Sequence, residues 1–130
     1  MSMSRRSALA LVLANGLSWS PVLAAERSAF DPAAFEAAQR AGRPILVEVT
    51  APWCPVCFVQ GFTLRALAND QRFKDLIVFV VDFDSQKPYL RKFNAQKQAT
   101  LIVFKGTVET GRLVGDPVAG HIEALLATSL

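Results

Sequence analysis

The sequence predicts an α/β fold, a central mixed sheet with helices on both faces, and three observations carry that reading. Short apolar runs rich in β-branched residues fall at 45–50, 76–81 and 100–104, the pattern of strands covered on both sides. Segments of helical length lie between and around them, opened by Asp-Pro or Cys-Pro and closed near Gly or Asn. The 130 residues, 52% hydrophobic and 19% charged, suit one ordinary domain. Its two cysteines are too few for a disulfide scaffold, so an apolar core must hold it.

Residues 1–24 read as a signal peptide and 25–130 as the folded domain. Arg5 and Arg6 precede an apolar stretch, and Val22, Ala24 and Ala25 supply small residues for cleavage after Ala24 or Ala25. An uncleaved anchor is the alternative, although Asn15, Gly16, Ser18, Ser20 and Pro21 make a poor membrane span. Export implies an oxidising compartment, expected to be a bacterial periplasm, with membrane contact only through an uncleaved leader. Without residues 1–24 the balance is 12 Lys/Arg against 11 Asp/Glu. No basic cluster remains to follow a phosphate backbone, which argues against nucleic acid as a partner.

The elements follow in order. A weak first strand is expected at 27–30. Asp31-Pro32 starts a helix that carries Phe35, Ala38 and Gln39 and closes at Gly42. The strand at 45–50 is apolar except for Glu48, and Ala51-Pro52-Trp53 turns it. A helix capped by Cys54 runs toward Asn69 with Phe58, Phe62, Leu64 and Leu67. Gly61 inside it costs about 1 kcal/mol relative to alanine and permits a bend or close packing. After the strand at 76–81 comes a short helix at 87–93, with Pro88 in its first turn. The strand at 100–104 turns at Lys105-Gly106 onto an antiparallel partner at 108–113. Asp116-Pro117 opens a last helix toward Ala127, with Ile122, Leu125 and Leu126 inward. The early strand–helix units connect right-handedly as parallel βαβ, and the late hairpin adds antiparallel strands.

The evident chemistry sits in Trp53-Cys54-Pro55-Val56-Cys57. Two residues between the cysteines at a helix start allow the sulfurs to bond while Cys54 stays on the rim. Free N–H groups and the helix field are expected to favour the Cys54 thiolate by up to about 2 kcal/mol. Pro55 offers no N–H and Val56 no side-chain donor, so nothing marks the pair as strongly oxidising. A structural disulfide is the plainer alternative. A zinc site lacks ligands, because the single histidine, His121, is expected on the last helix as a solvated residue. Glu48 is expected to be buried, with its pKa raised, and to take the proton from Cys57. The alternatives are that it reaches solvent or pairs with a basic side chain.

The stretches ILVEVTAPWCPVC and VDFDSQKPYLRKFNAQKQATLIVFKG, with Gly115 before the last helix, resemble the thioredoxin-fold family over about residues 28–130. The resemblance implies the thioredoxin fold and thiol–disulfide exchange with protein substrates. Cys54 would be the nucleophile and Cys57 the resolving thiol. Glu48 would stand where the family carries a buried aspartate. Substrate docking would use Trp53, Pro55 and Val56, together with the turn Gln98-Ala99-Thr100. A membrane thiol reductase is the implied electron donor, the chain is expected to be monomeric, and neither cofactor nor resident metal is implied.

Two departures matter. Ala99 stands where the family has a cis-proline, and a cis bond there would cost about 2–3 kcal/mol more than before proline. A trans bond is therefore expected, with a reshaped docking loop and sulfurs more open to a metal or cluster bridging two chains. Val80 replaces a frequent lysine, so Glu48 is expected to lack a basic neighbour. The favoured function is disulfide reduction. The alternatives are a binding or assembly protein with weakened exchange, motivated by Ala99, and a disulfide oxidase.

Overall fold

A computed structural model of the chain describes residues 25–130 and the isolated Gly16. Gly16 aside, the expected signal peptide lies outside the described residues. The order is β1 (Glu26–Ala29), α1 (Pro32–Arg40), β2 (Pro44–Thr50), α2 (Pro55–Leu67), β3 (Ile77–Asp82), α3 (Lys87–Lys92), β4 (Thr100–Lys105), β5 (Val108–Val114) and α4 (Ala119–Ala127). A 3-10 turn at Gln71–Phe73 links α2 to β3. The strands form one sheet in the order β1-β3-β2-β4-β5. β3 runs parallel to β1 and β2, whereas β4 is antiparallel to both β2 and β5. The α/β fold with a mixed sheet between helices is thus established. Among the described residues no helix is long and apolar enough to cross a membrane.

Side-chain alternation along β2 divides the core. Ile45, Val47 and Val49 face the layer of α1 and α3, where Phe30, Phe35, Phe79 and Phe93 pack edge to face. Leu46 faces the opposite layer, with Phe73, Ile122, Leu125 and Leu126. Glu48 is in phase with Leu46, so the one charged side chain of the central strand points toward α2.

Local chemistry explains the helix starts. Asp31 caps α1 by accepting the Ala34 N–H at 3.0 Å, with Pro32 at its first position. Gly106, at φ +57°, turns β4 into β5 so close to α1 that a Cβ there would lie 3.2 Å from Gly42 Cα. The last helix departs from expectation. It begins at Ala119 with Val118 as its cap, because Asp116 spends one carboxylate oxygen on the Val118 N–H (2.9 Å) and the other on His121 Nδ1 (2.7 Å). Asp116-Pro117 therefore forms a turn ahead of the helix. The Val118 N–H, and after it His121, hold the Asp116 carboxyl below the usual carboxylate range.

Candidate functional site

β2 ends at the turn Ala51-Pro52-Trp53, and the Cys54 N–H donates to the Ala51 carbonyl at 3.2 Å. Cys54 has extended backbone geometry (φ −93°, ψ 110°), and Pro55 occupies the first helical position. This geometry makes Cys54 the cap of α2: its Sγ accepts the Cys57 N–H at 3.1 Å. The expected placement of the pair at a helix start is therefore correct, and both cysteines are free thiols.

The expected exposure is not. Cys54 and Cys57 are 5% and 6% exposed and pack with Ala51 and Ala99. The sulfurs are reached through a cavity of about 190 Å³ whose lining includes Arg27, Glu48, Cys54, Cys57, Gly61 and Arg65. Burial has a chemical consequence that the helix-start argument alone misses. Desolvation, followed by the Cys57 side chain, pushes the Cys54 thiol above its ordinary pKa, outweighing the Cys57 and Val56 N–H groups that favour the thiolate. The predicted lowering is thus reversed: the N–H dipoles act at Cys54, but removing its sulfur from water costs more.

Glu48 is 4% exposed on the wall of the same cavity. Arg27 of the edge strand donates to its Oε2 from Nε at 3.2 Å, with the second guanidinium nitrogen at 3.1 Å. The expectation that Glu48 lacks a basic neighbour is corrected. Val80 does replace the lysine, but the register that aligns Arg27 with Val78 and Glu48 with Val80 brings a different cation across β3. The carboxylate both shares the sulfurs' cavity and has a basic partner.

None of the remaining expected site residues is among those lining this cavity. Trp53 is exposed and donates its indole N–H to Asp84 at 2.8 Å. Pro55 is exposed, whereas Val56 packs partly against the cysteines. Phe58 and Phe62, at 71% and 68% exposed, stand outside the core, and Phe58 lines the cavity at the sulfurs. Gln98 is half-buried, and Thr100 is buried with its hydroxyl donating to the Lys97 carbonyl at 2.7 Å.

No cis peptide bond occurs among the described residues, so the Gln98–Ala99 bond is trans. Ala99 instead adopts φ +59°, a left-handed conformation that costs an L-residue about 1–2 kcal/mol. Hydrogen bonds hold it there. Its N–H donates to the Val49 carbonyl and its carbonyl accepts from the Gly115 N–H, both at 2.9 Å. A third bond comes from Gln60, whose Nε2 donates to the Ala99 carbonyl at 3.1 Å and to the Asp116 carbonyl at 3.0 Å. Gln60 is 1% exposed and joins α2, the Ala99 turn and the approach to α4. Sequence reasoning passed over Gln60, although its spacing from Cys57 and Leu64 puts it on the inward stripe of α2, where an amide requires partners. It also missed Arg27 and Arg65.

Chemically, the site offers a thiol pair able to interconvert with a disulfide and a carboxylate positioned on their shared cavity. Among the described residues no group of three or more His, Cys, Asp or Glu side chains is gathered as a metal site.

Comparison with known proteins places this geometry. The family model described as Thioredoxin matches residues 26–128. A thioredoxin of Echinococcus granulosus is 31% identical over 100 residues, covering 76% of this chain and 91% of that protein. The match to a bifunctional thioredoxin reductase/thioredoxin of Mycobacterium leprae, 31% identical, covers 65% of this chain and spans only 18% of that protein's length. Among solved structures, Trxlp from Edwardsiella tarda EIB202 is 38% identical with a TM-score of 0.75, covering 78% of this chain and 98% of that one.

Proposed function

From the premise that the chain belongs to the thioredoxin family, whose members are thiol–disulfide oxidoreductases, we propose that it is an exported disulfide reductase acting on periplasmic proteins. The observation that carries the reading is the pair itself: Cys57 donates its N–H to the Cys54 sulfur at 3.1 Å, and both line a cavity shared with Glu48.

In the proposed reaction the Cys54 thiolate attacks one sulfur of a substrate disulfide. A Cys54–substrate disulfide forms and the other substrate sulfur leaves as a thiolate. Cys57 gives its proton to Glu48 and attacks the Cys54 sulfur, closing the Cys54–Cys57 disulfide and releasing the second substrate thiolate. The substrate gains two electrons and the cysteine pair loses two. A membrane thiol reductase returns them, and the protein works as a monomer. Support for the reducing direction comes from the burial of Cys54. A reduced form whose thiolate is strongly stabilised is the mark of an oxidant, and here desolvation works against that thiolate. Arginines 5 and 6 and the small residues at 22–25 support export.

Ala99 favours a second reading, a binding protein whose exchange has weakened, because the docking turn has a left-handed residue where the family has a cis-proline. Trapping separates the two. The Cys57→Ala variant should accumulate dithiothreitol-sensitive mixed disulfides in periplasmic extract through Cys54, and Cys54→Ala should not. No complexes with Cys57→Ala, together with no insulin reduction by the unaltered protein, would overturn the reductase reading.

A further inference from the structure

Of the charged groups around the sulfurs, Arg27 and Glu48 neutralise each other. Arg65 makes no ion pair or side-chain hydrogen bond among the described residues, and its guanidinium lies 5.6 Å from the Phe62 ring. Its position follows from the helix. Cys57, Gly61 and Arg65 recur every four residues along one face of α2, and long helical side chains lean toward the N-terminus. Gly61 leaves room for that lean: a Cβ built there would meet Arg65 Nη1 at 3.4 Å. The guanidinium thus lies back along α2 toward the sulfurs, on the wall of the cavity that contains them. The same four residues, Arg27, Glu48, Gly61 and Arg65, also border an adjoining, largely apolar cavity of about 150 Å³.

We propose that this cavity admits low-molecular-weight disulfides bearing carboxylates, and that Arg65 selects them. The inference rests on the exchange reading and names a substrate class for the same sulfurs. The cavity of about 190 Å³ suits a group of amino-acid size. With both cysteines as thiols and the Arg27–Glu48 pair counted, the remaining charge on its wall is one cation, complementary to a carboxylate. The guanidinium supplies paired N–H donors in the plane that a carboxylate accepts. Electrons balance as in the proposed reaction: the small disulfide takes two electrons and leaves as two thiols, and Cys54 and Cys57 are joined as a disulfide.

The test is a single-turnover measurement with pre-reduced protein and no added reductant, following loss of protein thiols. Three small disulfides differ in charge: 3,3′-dithiodipropionate is anionic, bis(2-hydroxyethyl) disulfide neutral and cystamine cationic. Each rate is divided by that of the same disulfide with dithiothreitol, which removes differences in leaving-group chemistry. The anionic disulfide should exceed the neutral one by about three- to fivefold at low salt, the range of a partly exposed ion pair, with the cationic one slowest. That preference should shrink at high salt, disappear in Arg65→Gln and persist in Arg65→Lys. Equal normalised rates in the unaltered protein, or a preference unchanged by Arg65→Gln, would overturn the proposal. So would a carboxylate preference confined to peptide disulfides with Glu rather than Gln beside the cysteine, which would assign Arg65 to protein substrates. Failure to reduce every one of these disulfides and insulin as well would instead remove the exchange reading.

Discussion

Replacing Gln60 by leucine tests how the Ala99 turn is held. The side chains are similar in size, so the perturbation is the loss of two hydrogen bonds, to Ala99 O at 3.1 Å and Asp116 O at 3.0 Å. The two carbonyls do not suffer equally. Ala99 O keeps the Gly115 N–H at 2.9 Å, while the half-buried Asp116 loses the hydrogen bond to its carbonyl. At about 0.5–1.5 kcal/mol net for each bond, the variant should lose about 2 kcal/mol. For a domain of this size that lowers Tm by about 10 °C. Urea denaturation of the reduced protein should show a lower midpoint at unchanged slope, since the same surface is exposed on unfolding. Gln60→Glu refines the test. An ionised carboxylate facing two carbonyls repels both, whereas a protonated one donates to one of them. The folded-state pKa of the introduced acid is therefore raised, and the stability that depends on its proton is present at low pH and lost as pH rises through that pKa. A Gln60→Leu protein within 0.5 kcal/mol of the original would refute the claim that this amide holds the turn.

Three further outcomes follow from the same geometry. Ala99→Pro removes the N–H given to Val49 O at 2.9 Å and cannot keep φ +59°, so denaturation should show a loss of about 3 kcal/mol; unchanged or increased stability would mean that the turn is not built this way. Arg27→Met leaves the Glu48 carboxylate buried without its cation. Because the arginine itself is largely exposed, the cost should be about 1–2 kcal/mol and should vanish in a double-mutant cycle with Glu48→Gln. For Cys54, burial raises the folded-state thiol pKa, so iodoacetamide reactivity should rise with a midpoint above that of an ordinary thiol. By linkage, the unfolded thiol ionises first, and the reduced protein should lose stability as pH rises from the ordinary thiol pKa of about 8.5 through the folded one; an alkylation midpoint near neutrality contradicts this.

Much of this architecture was legible because its signals are local. Asp31-Pro32, the apolar runs and the Cys54-Pro55 start each specify their own segment, and the strand alternation specifies which face they bury. What was not legible depends on distant partners. Glu48 reads as an unpaired carboxylate until the sheet order sets β1 beside β3 and carries Arg27 across to it. The Cys54 thiolate is favoured when only its helix is considered, and disfavoured once Ala51, Cys57 and Ala99 close around it. The trans bond before Ala99 was foreseeable from the cost of the cis form, but the left-handed φ was not, because Val49, Gly115 and Gln60 all contribute to it. Asp116-Pro117 looked like a helix start for want of knowing that Asp116 is engaged with Val118 and His121.

The central claim, that the Cys54–Cys57 pair passes electrons to substrates, is tested most directly by its reduction potential, from equilibration of the purified protein with defined thiol–disulfide buffers. The account predicts a value near about −270 mV, where a dithiol reduces other proteins, and a value near about −120 mV, where the disulfide form oxidises them, would contradict it.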